Sequence, residues 1–330
     1  MTLPRRDLLA GVSVAAALAF APDAEAVPIL TTTKRPLTML MGFAEGTQAD
    51  KSGRLFAACL QPYLPDSELV QCNVPGEAGR NMLLALANAI PNGTTIGWVT
   101  TPTLPARIID HADPSLGRRI RLLGQIEREP IAFVSPASDP ANSIQDIIRR
   151  AGDDADAVPL GTPPAGSPPH LAALRLQVLA QTQLNIVTFP SSEAARQAVR
   201  DGNVSAAALG LSAVIGDLRD GSLSAIGIAA RRRFGLLPDT PVLDEGGIPL
   251  AAFIRRGIAV PAGTPLDMAG PLVEAIRAAA IDETFADQAE ANGYYAAWTD
   301  GSAWLAQMQS EQAELAKLWE TSPWLSSSGG

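Results

Sequence analysis

Short apolar runs alternate along this chain with longer stretches whose apolar residues recur every three or four positions, the pattern of strands followed by helices. In the first half, strands are predicted at Leu37 to Phe43, Glu68 to Cys72, Thr95 to Val99, Leu122 to Ile126 and Ile131 to Ser135. Helices are predicted from Lys51 to Tyr63 and from Arg80 to Ile90. The pattern restarts past Ser135 with a helix from Ser143 to Ala151, whose Ile144, Ile147 and Ile148 share one face. Strands follow at Ala157 to Leu160, Asn185 to Phe189, Ala206 to Leu211, Leu223 to Ala229 and Ile254 to Val260. Further helices are predicted over 193–201, 265–279, 282–292 and 300–320. Strands alternating with helices through short loops imply an α/β protein with doubly wound parallel sheets. Such sheets bind ligands at the carboxyl ends of their strands.

One stretch, VPLGTPPAGSPPHLAALRL from Val158 to Leu176, stands out. A strand stops at Gly161, a Gly/Pro/Ser loop follows, and a helix opens at Ser167 with Pro168 and Pro169 in its first turn. Ser at an N-cap with Pro just inside it is a strong helix-start signal. The junction aims unpaired N–H groups and the positive end of a helix at one spot, which suits a carboxylate. An ordinary strand-to-helix turn is the alternative. The loops at 44–50, 100–103, 161–170 and 190–192 repeat the composition, and Lys and Arg are almost missing from them. Neutral donors of this kind suit a small carboxylate or polar solute and serve phosphoryl transfer poorly.

The chain has 330 residues, enough for two domains, and its 47% apolar and 18% charged residues describe a well-packed globular protein. A formal net charge of −9 argues against nucleic acid or an anionic membrane surface as partner. At the N-terminus, Arg5-Arg6 precede the apolar run Leu8 to Ala21, and Asp23-Ala24-Glu25-Ala26 supplies a cleavage pattern before Val27. Residues 1–26 therefore read as an export signal peptide, the paired arginines favouring the twin-arginine route to the periplasm. Cys59 and Cys72 are either one disulfide or two small buried hydrophobes.

Enzyme readings find little support. His111 and His170 have no metal-ligand spacing, and no nucleophile elbow or phosphate-binding glycine loop occurs. His170 as a base for Ser167 lacks an acid nearby in sequence to orient it. Arg231-Arg232-Arg233 reads as a solvated or salt-bridged loop. No catalytic residue, cofactor or metal is expected.

Four segments together resemble the Bug-type periplasmic solute receptors of tripartite tricarboxylate transporters. Phe43-Ala44-Glu45-Gly46-Thr47-Gln48-Ala49-Asp50 is similar to the family's F-x-P-G-G-x-x-D loop. Asn73 to Gly79 (NVPGEAG) is similar to N-x-P-G-A-G-G, and Gly161 to Leu171 resembles G-S-x-G-x-G-S-x-x-H-L. Arg233 to Pro249, with Leu237-Pro238-Asp239, resembles R-x-x-x-L-P-D-V-P-T-x-x-E-x-G and is the most specific of the four.

The resemblance implies two lobes closing on a carboxylated solute like a Venus flytrap, with a hinge between them. Lobe one would comprise 27–137 plus 256–330, and lobe two 138–255. The expected function is an exported solute-binding protein that delivers a small organic acid to membrane transporter subunits, working as a monomer. A ligand-sensing receptor for a signalling system is the alternative, and an exported enzyme on the same fold a weaker one. Expected ligand-binding residues are Gly46, Thr47, Gln48, Asp50, Thr100, Thr101, Gly166, Ser167, His170, Phe189, Ser191 and Ser192. The chain departs from the family at Glu45 where Pro is usual, at Phe189-Pro190-Ser191 where Tyr-Lys-Gly is common, and at Ser205 where Asp is frequent. Glu45, if it points inward, would repel a carboxylate, so an atypical carboxylate, or a neutral or aromatic solute, is admitted.

Overall fold

A computed structural model describes residues 34–138 and 143–325. The predicted export signal at 1–26 lies outside the described residues. The chain opens with β1 (Arg35–Met41), α1 (Gln48–Leu60), β2 (Ser67–Asn73), α2 (Arg80–Asn88), β3 (Thr95–Thr101), α3 (Thr103–Asp110) and α4 (Pro114–Arg118). The long strand β4 (Ile120–Pro136) leads into α5 (Ile144–Asp153), β5 (Leu160–Thr162), α6 (Pro168–Ala180), β6 (Ile186–Thr188) and α7 (Ser192–Arg200). Then come β7 (Ala206–Gly210), α8 (Leu211–Asp220), β8 (Leu223–Ala229), β9 (Phe253–Pro261), α9 (Leu266–Ala280), α10 (Glu283–Ala291), β10 (Tyr295–Asp300) and α11 (Gly301–Thr321).

Sheet order is β2-β1-β3-β9-β4-β7-β5-β6, with β8 and β10 also on β4. β1, β2 and β3 pair in parallel, as do β5, β6 and β7. β4 holds these two parallel groups together. Its residues 120–130 pair antiparallel with β9, and 124–128 also with β10. From Ile131 to Pro136 it exchanges those neighbours for β7 and β8. The handover falls at Pro130, which has no N–H to give a ladder.

The all-parallel sheet expected from the sequence is thus extended by antiparallel strands. Two short strands predicted at 122–126 and 131–135 are one 17-residue strand. Arg128-Glu129-Pro130 made them look separate, because charge plus Pro ordinarily signals a loop. Helices α3, α4 and α8 and strand β10 were not expected. Leu211 begins α8 directly after Gly210 ends β7, so no turn residue divides one apolar run into two elements.

Apolar packing fills both faces of each parallel group. In the first, Met39 and Met41 of β1 lie under Phe56, which stacks on Trp98 at 5.7 Å and meets Phe285 edge-on at 5.2 Å. In the second, Ala206, Ala207 and Ala208 keep β7 thin, letting helices cover both faces. Leu171 and Leu174 of α6 pack on Ala106 of α3, on Leu315 and Leu318 of α11, and on Trp324. Cys59 and Cys72 are free thiols, the first half-buried and the second exposed.

Charge is buried where β4 and β9 run together. Glu127 stands opposite Arg256 in the register, and Arg256 Nη1 donates to Glu127 Oε1 at 2.7 Å. Its Nη2 lies 2.8 Å from Glu129 Oε2. Burial pushes the Glu127 carboxyl up to about 7 against the pull of Arg256. Burial also opposes the charge of Arg256, but Glu129 and Glu127 together raise its pKa and hold it protonated. Removing the guanidinium would leave two carboxylates buried without a counter-charge. Arg256→Ala is therefore expected to lower the unfolding free energy by about 3–5 kcal/mol, measured by urea denaturation at pH 8. A change near zero would mean the three groups are not coupled.

Candidate functional site

Between the two parallel groups lies a cavity of about 440 Å³. Six helices begin at its wall. Thr47 and Gln48 open α1, Gly79 precedes α2, Thr103 opens α3, Ser167 precedes α6, Ser191 and Ser192 open α7, and Gly210 precedes α8. Each N-terminus carries a partial positive charge worth about 0.3–1 kcal/mol to a nearby anion, though Thr47, Ser191 and Glu129 already take one N–H each of α1, α7 and α8. The convergence follows from topology, since a βα unit starts its helix at the carboxyl end of its strand.

Two hydroxyls in the wall have no partner among the described residues. Thr100 Oγ1 at the end of β3 and Ser167 Oγ at the cap of α6 are both buried and unbonded. Thr100 itself is only 6% exposed. Ser135 Oγ and Thr264 Oγ1 are also unpartnered but lie away from the cavity, so it is their place in its wall that makes Thr100 and Ser167 candidates for a ligand. Ser191, by contrast, is engaged in capping α7, its Oγ accepting from the Ala194 N–H at 3.0 Å.

The floor of the cavity comes from residues not anticipated. Ser212 donates its N–H (2.9 Å) and Oγ–H (2.7 Å) to Glu129 Oε1, and Gln48 Nε2 donates to the Ser212 carbonyl at 2.9 Å. Gln48 precedes β2 in the chain and Ser212 follows β7, so this bond spans the cleft. A Cβ at Gly210 would overlap the Glu129 carboxylate, which explains a glycine there. Glu129, Arg256, Ser212 and Ile254 all line the cavity. One signal was present in the sequence: Glu127 and Glu129 stand two residues apart, which on a strand puts both carboxylates on one face.

Of the expected contacts, Thr47, Gln48, Thr100, Ser167, Ser191 and Ser192 line the cavity; Gly46, Asp50, Thr101, Gly166, His170 and Phe189 do not. Asp50 is turned inward, accepting from the Gly46 N–H (2.9 Å), Arg54 Nε (2.9 Å) and Asn73 Nδ2 (2.7 Å). Burial opposes its ionisation, but those three donors outweigh it and hold the carboxyl below its ordinary range. Glu45 faces solvent 3.7 Å from Arg54, so it does not enter the cavity. Thr101 accepts from Trp304 Nε1 at 3.2 Å. Phe189 packs beside Val199 and Val204 in a core cluster.

Gly166 and His170 shape the Ser167 loop from behind. The Gly166 N–H donates to His170 Nδ1 at 3.4 Å, and Arg107 Nη2 donates to the Ala165 carbonyl at 3.3 Å. Gly166 has a positive φ of 72°, and a Cβ on it would collide with the Arg107 guanidinium. The Arg233 to Pro249 stretch is also structural: Arg233 is bonded to both oxygens of Glu245 and to the Pro238 carbonyl, closing a loop whose Val242 bridges Ile228.

The family described as "Tripartite tricarboxylate transporter family receptor" matches residues 67–318. The chain belongs to that family. Among relatives, a UPF0065 protein of Bordetella bronchiseptica is 26% identical over 97% of this chain and 93% of its own. Among solved structures, the periplasmic binding protein BugD is 21% identical with a TM-score of 0.77, covering 87% of this chain and 97% of that one. R. palustris Rpa4515, solved with adipate, is 20% identical with a TM-score of 0.79 and the same coverage. These place the fold among the two-lobed periplasmic binding proteins, as the Bug-type motifs implied.

His170 gives a pH test of the loop. Burial, helped by Arg107, lowers its pKa to about 4, well below that of an exposed imidazole. As pH falls, the unfolded chain takes up this proton before the folded protein does, so stability should decline between about pH 6.5 and 4. NMR titration of the imidazole should accordingly show no protonation above about pH 5. An ordinary titration near neutrality would contradict the buried, neutral assignment.

Proposed function

We propose that this protein is an exported receptor that captures a small carboxylate-bearing solute and delivers it to a tripartite tricarboxylate-type transporter in the membrane. Residues 1–26 would direct export by the twin-arginine route, and the mature chain would work in the periplasm. Lobe one is taken as 27–137 plus 256–330 and lobe two as 138–255, with the solute between them. Thr47, Gln48, Thr100, Ser167, Ser191 and Ser192 would touch it. Gly46, Asp50, Thr101, Gly166, His170 and Phe189 would hold those residues in position.

The observation that carries this reading is the unpartnered pair Thr100 Oγ1 and Ser167 Oγ in a cavity faced by six helix N-termini. Hydroxyl donors and backbone N–H groups together satisfy a carboxylate's two oxygens without a cation. That the related Rpa4515 was solved with adipate agrees with the same ligand chemistry.

A thermal-shift screen of the purified protein against monocarboxylic, dicarboxylic and tricarboxylic acids, with carboxamides as controls, tests the proposal. A ligand at 100 times its Kd should add about 2.7 kcal/mol of stability. Thr100→Val and Ser167→Ala should each weaken the best acid about tenfold without lowering the melting temperature of the free protein. Stabilisation by carboxamides as strong as by acids would overturn the carboxylate reading.

A further inference from the structure

The cavity's charge is the reverse of what a polyanion needs. Arg256 is the only cation in its wall among the described residues, against Glu77, Glu129 and Glu193. The charge of Arg256 is already paired, Nη1 lying 2.7 Å from Glu127 and Nη2 2.8 Å from Glu129, while Nε is buried without a partner. Glu129 in turn gives its other oxygen to Ser212. Glu77 is matched by Arg80 at 3.4 Å, while Glu193 is exposed in the first turn of α7. Among the described residues that line the cavity, no free positive side chain is left for a solute.

Much of the remaining wall is apolar: Phe43, Met82, Leu83, Pro169, Pro190 and Ile254. We infer that the solute has a single carboxylate, held at the unpartnered Thr100 and Ser167 hydroxyls, and an apolar body that fills this part of the cavity. The inference rests on the carboxylate reading above and narrows it. A second carboxylate would be stripped of water against proline and aliphatic carbon, or brought beside Glu129. Both are unfavourable for a charged group without a partner. An apolar chain in the same place gains by leaving water.

Isothermal titration of the purified protein with hexanoate, adipate and hexanamide separates these terms, because the three share one six-carbon chain. Hexanoate is expected to bind at least about tenfold more tightly than adipate, and hexanamide more weakly than either. From butanoate to octanoate, affinity should rise about fourfold per methylene until the cavity is full. Adipate binding as well as or better than hexanoate would overturn the single-carboxylate inference and leave the carboxylate reading standing. Hexanamide binding as well as both acids would overturn the two together. Glu129→Gln removes the carboxylate that pairs with Arg256 in the cavity wall and should narrow the gap between hexanoate and adipate; an unchanged gap in a folded variant would also count against the inference. Should that variant fail to fold, the comparison on the unaltered protein decides alone.

Discussion

Burying a guanidinium where two groups of strands meet obliges the chain to bury carboxylates with it, and the position of those carboxylates then fixes much of the cleft. Arg256 on β9 reaches Glu127 and Glu129 on β4. Glu129 receives both donors of Ser212 at the start of α8, and Gln48 at the start of α1 bonds the Ser212 carbonyl. A single chain of polar contacts therefore runs from the strands common to both sides to a helix on each side. Ion groups at this depth add little net stability once desolvation is counted, but they tolerate few alternative arrangements. Their contribution is to orientation.

Around that fixed floor, the wall relies on main-chain dipoles. Six helix starts supply positive potential without a mobile cation, and Asp50, Arg107 and His170 are spent on holding the loops that carry those starts. Preorganised N–H groups need no rotamer ordering when a solute arrives, so less entropy is lost than with lysine or arginine side chains. Neutral recognition of this kind also leaves the solute's body free to set selectivity through fit and apolar contact.

Much of this was legible in the sequence, for identifiable reasons. Regular alternation of strand and helix gave the α/β class, and Ser167-Pro168-Pro169 gave the start of α6 almost to the residue. Four loop motifs led to the receptor family. Long-range partners were not legible. Asp50 and His170 had the composition of ligand contacts but bond inward, because Arg54, Asn73 and the Gly166 loop lie beside them only after folding. Glu129 and Arg256 carried little local signal, since a charge inside a β-run is ordinarily solvent-facing or loop-forming. Their burial depends on β9, more than a hundred residues later, lying against β4.

The handover of β4 at Pro130 has a mechanical consequence. β4 continues unbroken through this point, so a rotation of one strand group against the other would twist a ladder that exchanges neighbours there. Displacement in such a rotation grows with distance from the axis. Glu129 and Arg256, close to that point, would move least in such a rotation. A ligand shifts an open–closed balance only through contacts that differ between the two states. Atoms of a solute resting near the axis would thus contribute grip in either state, and those reaching from one strand group to the other would favour closure. Tightness of binding and the balance between two such states would then be separately adjustable.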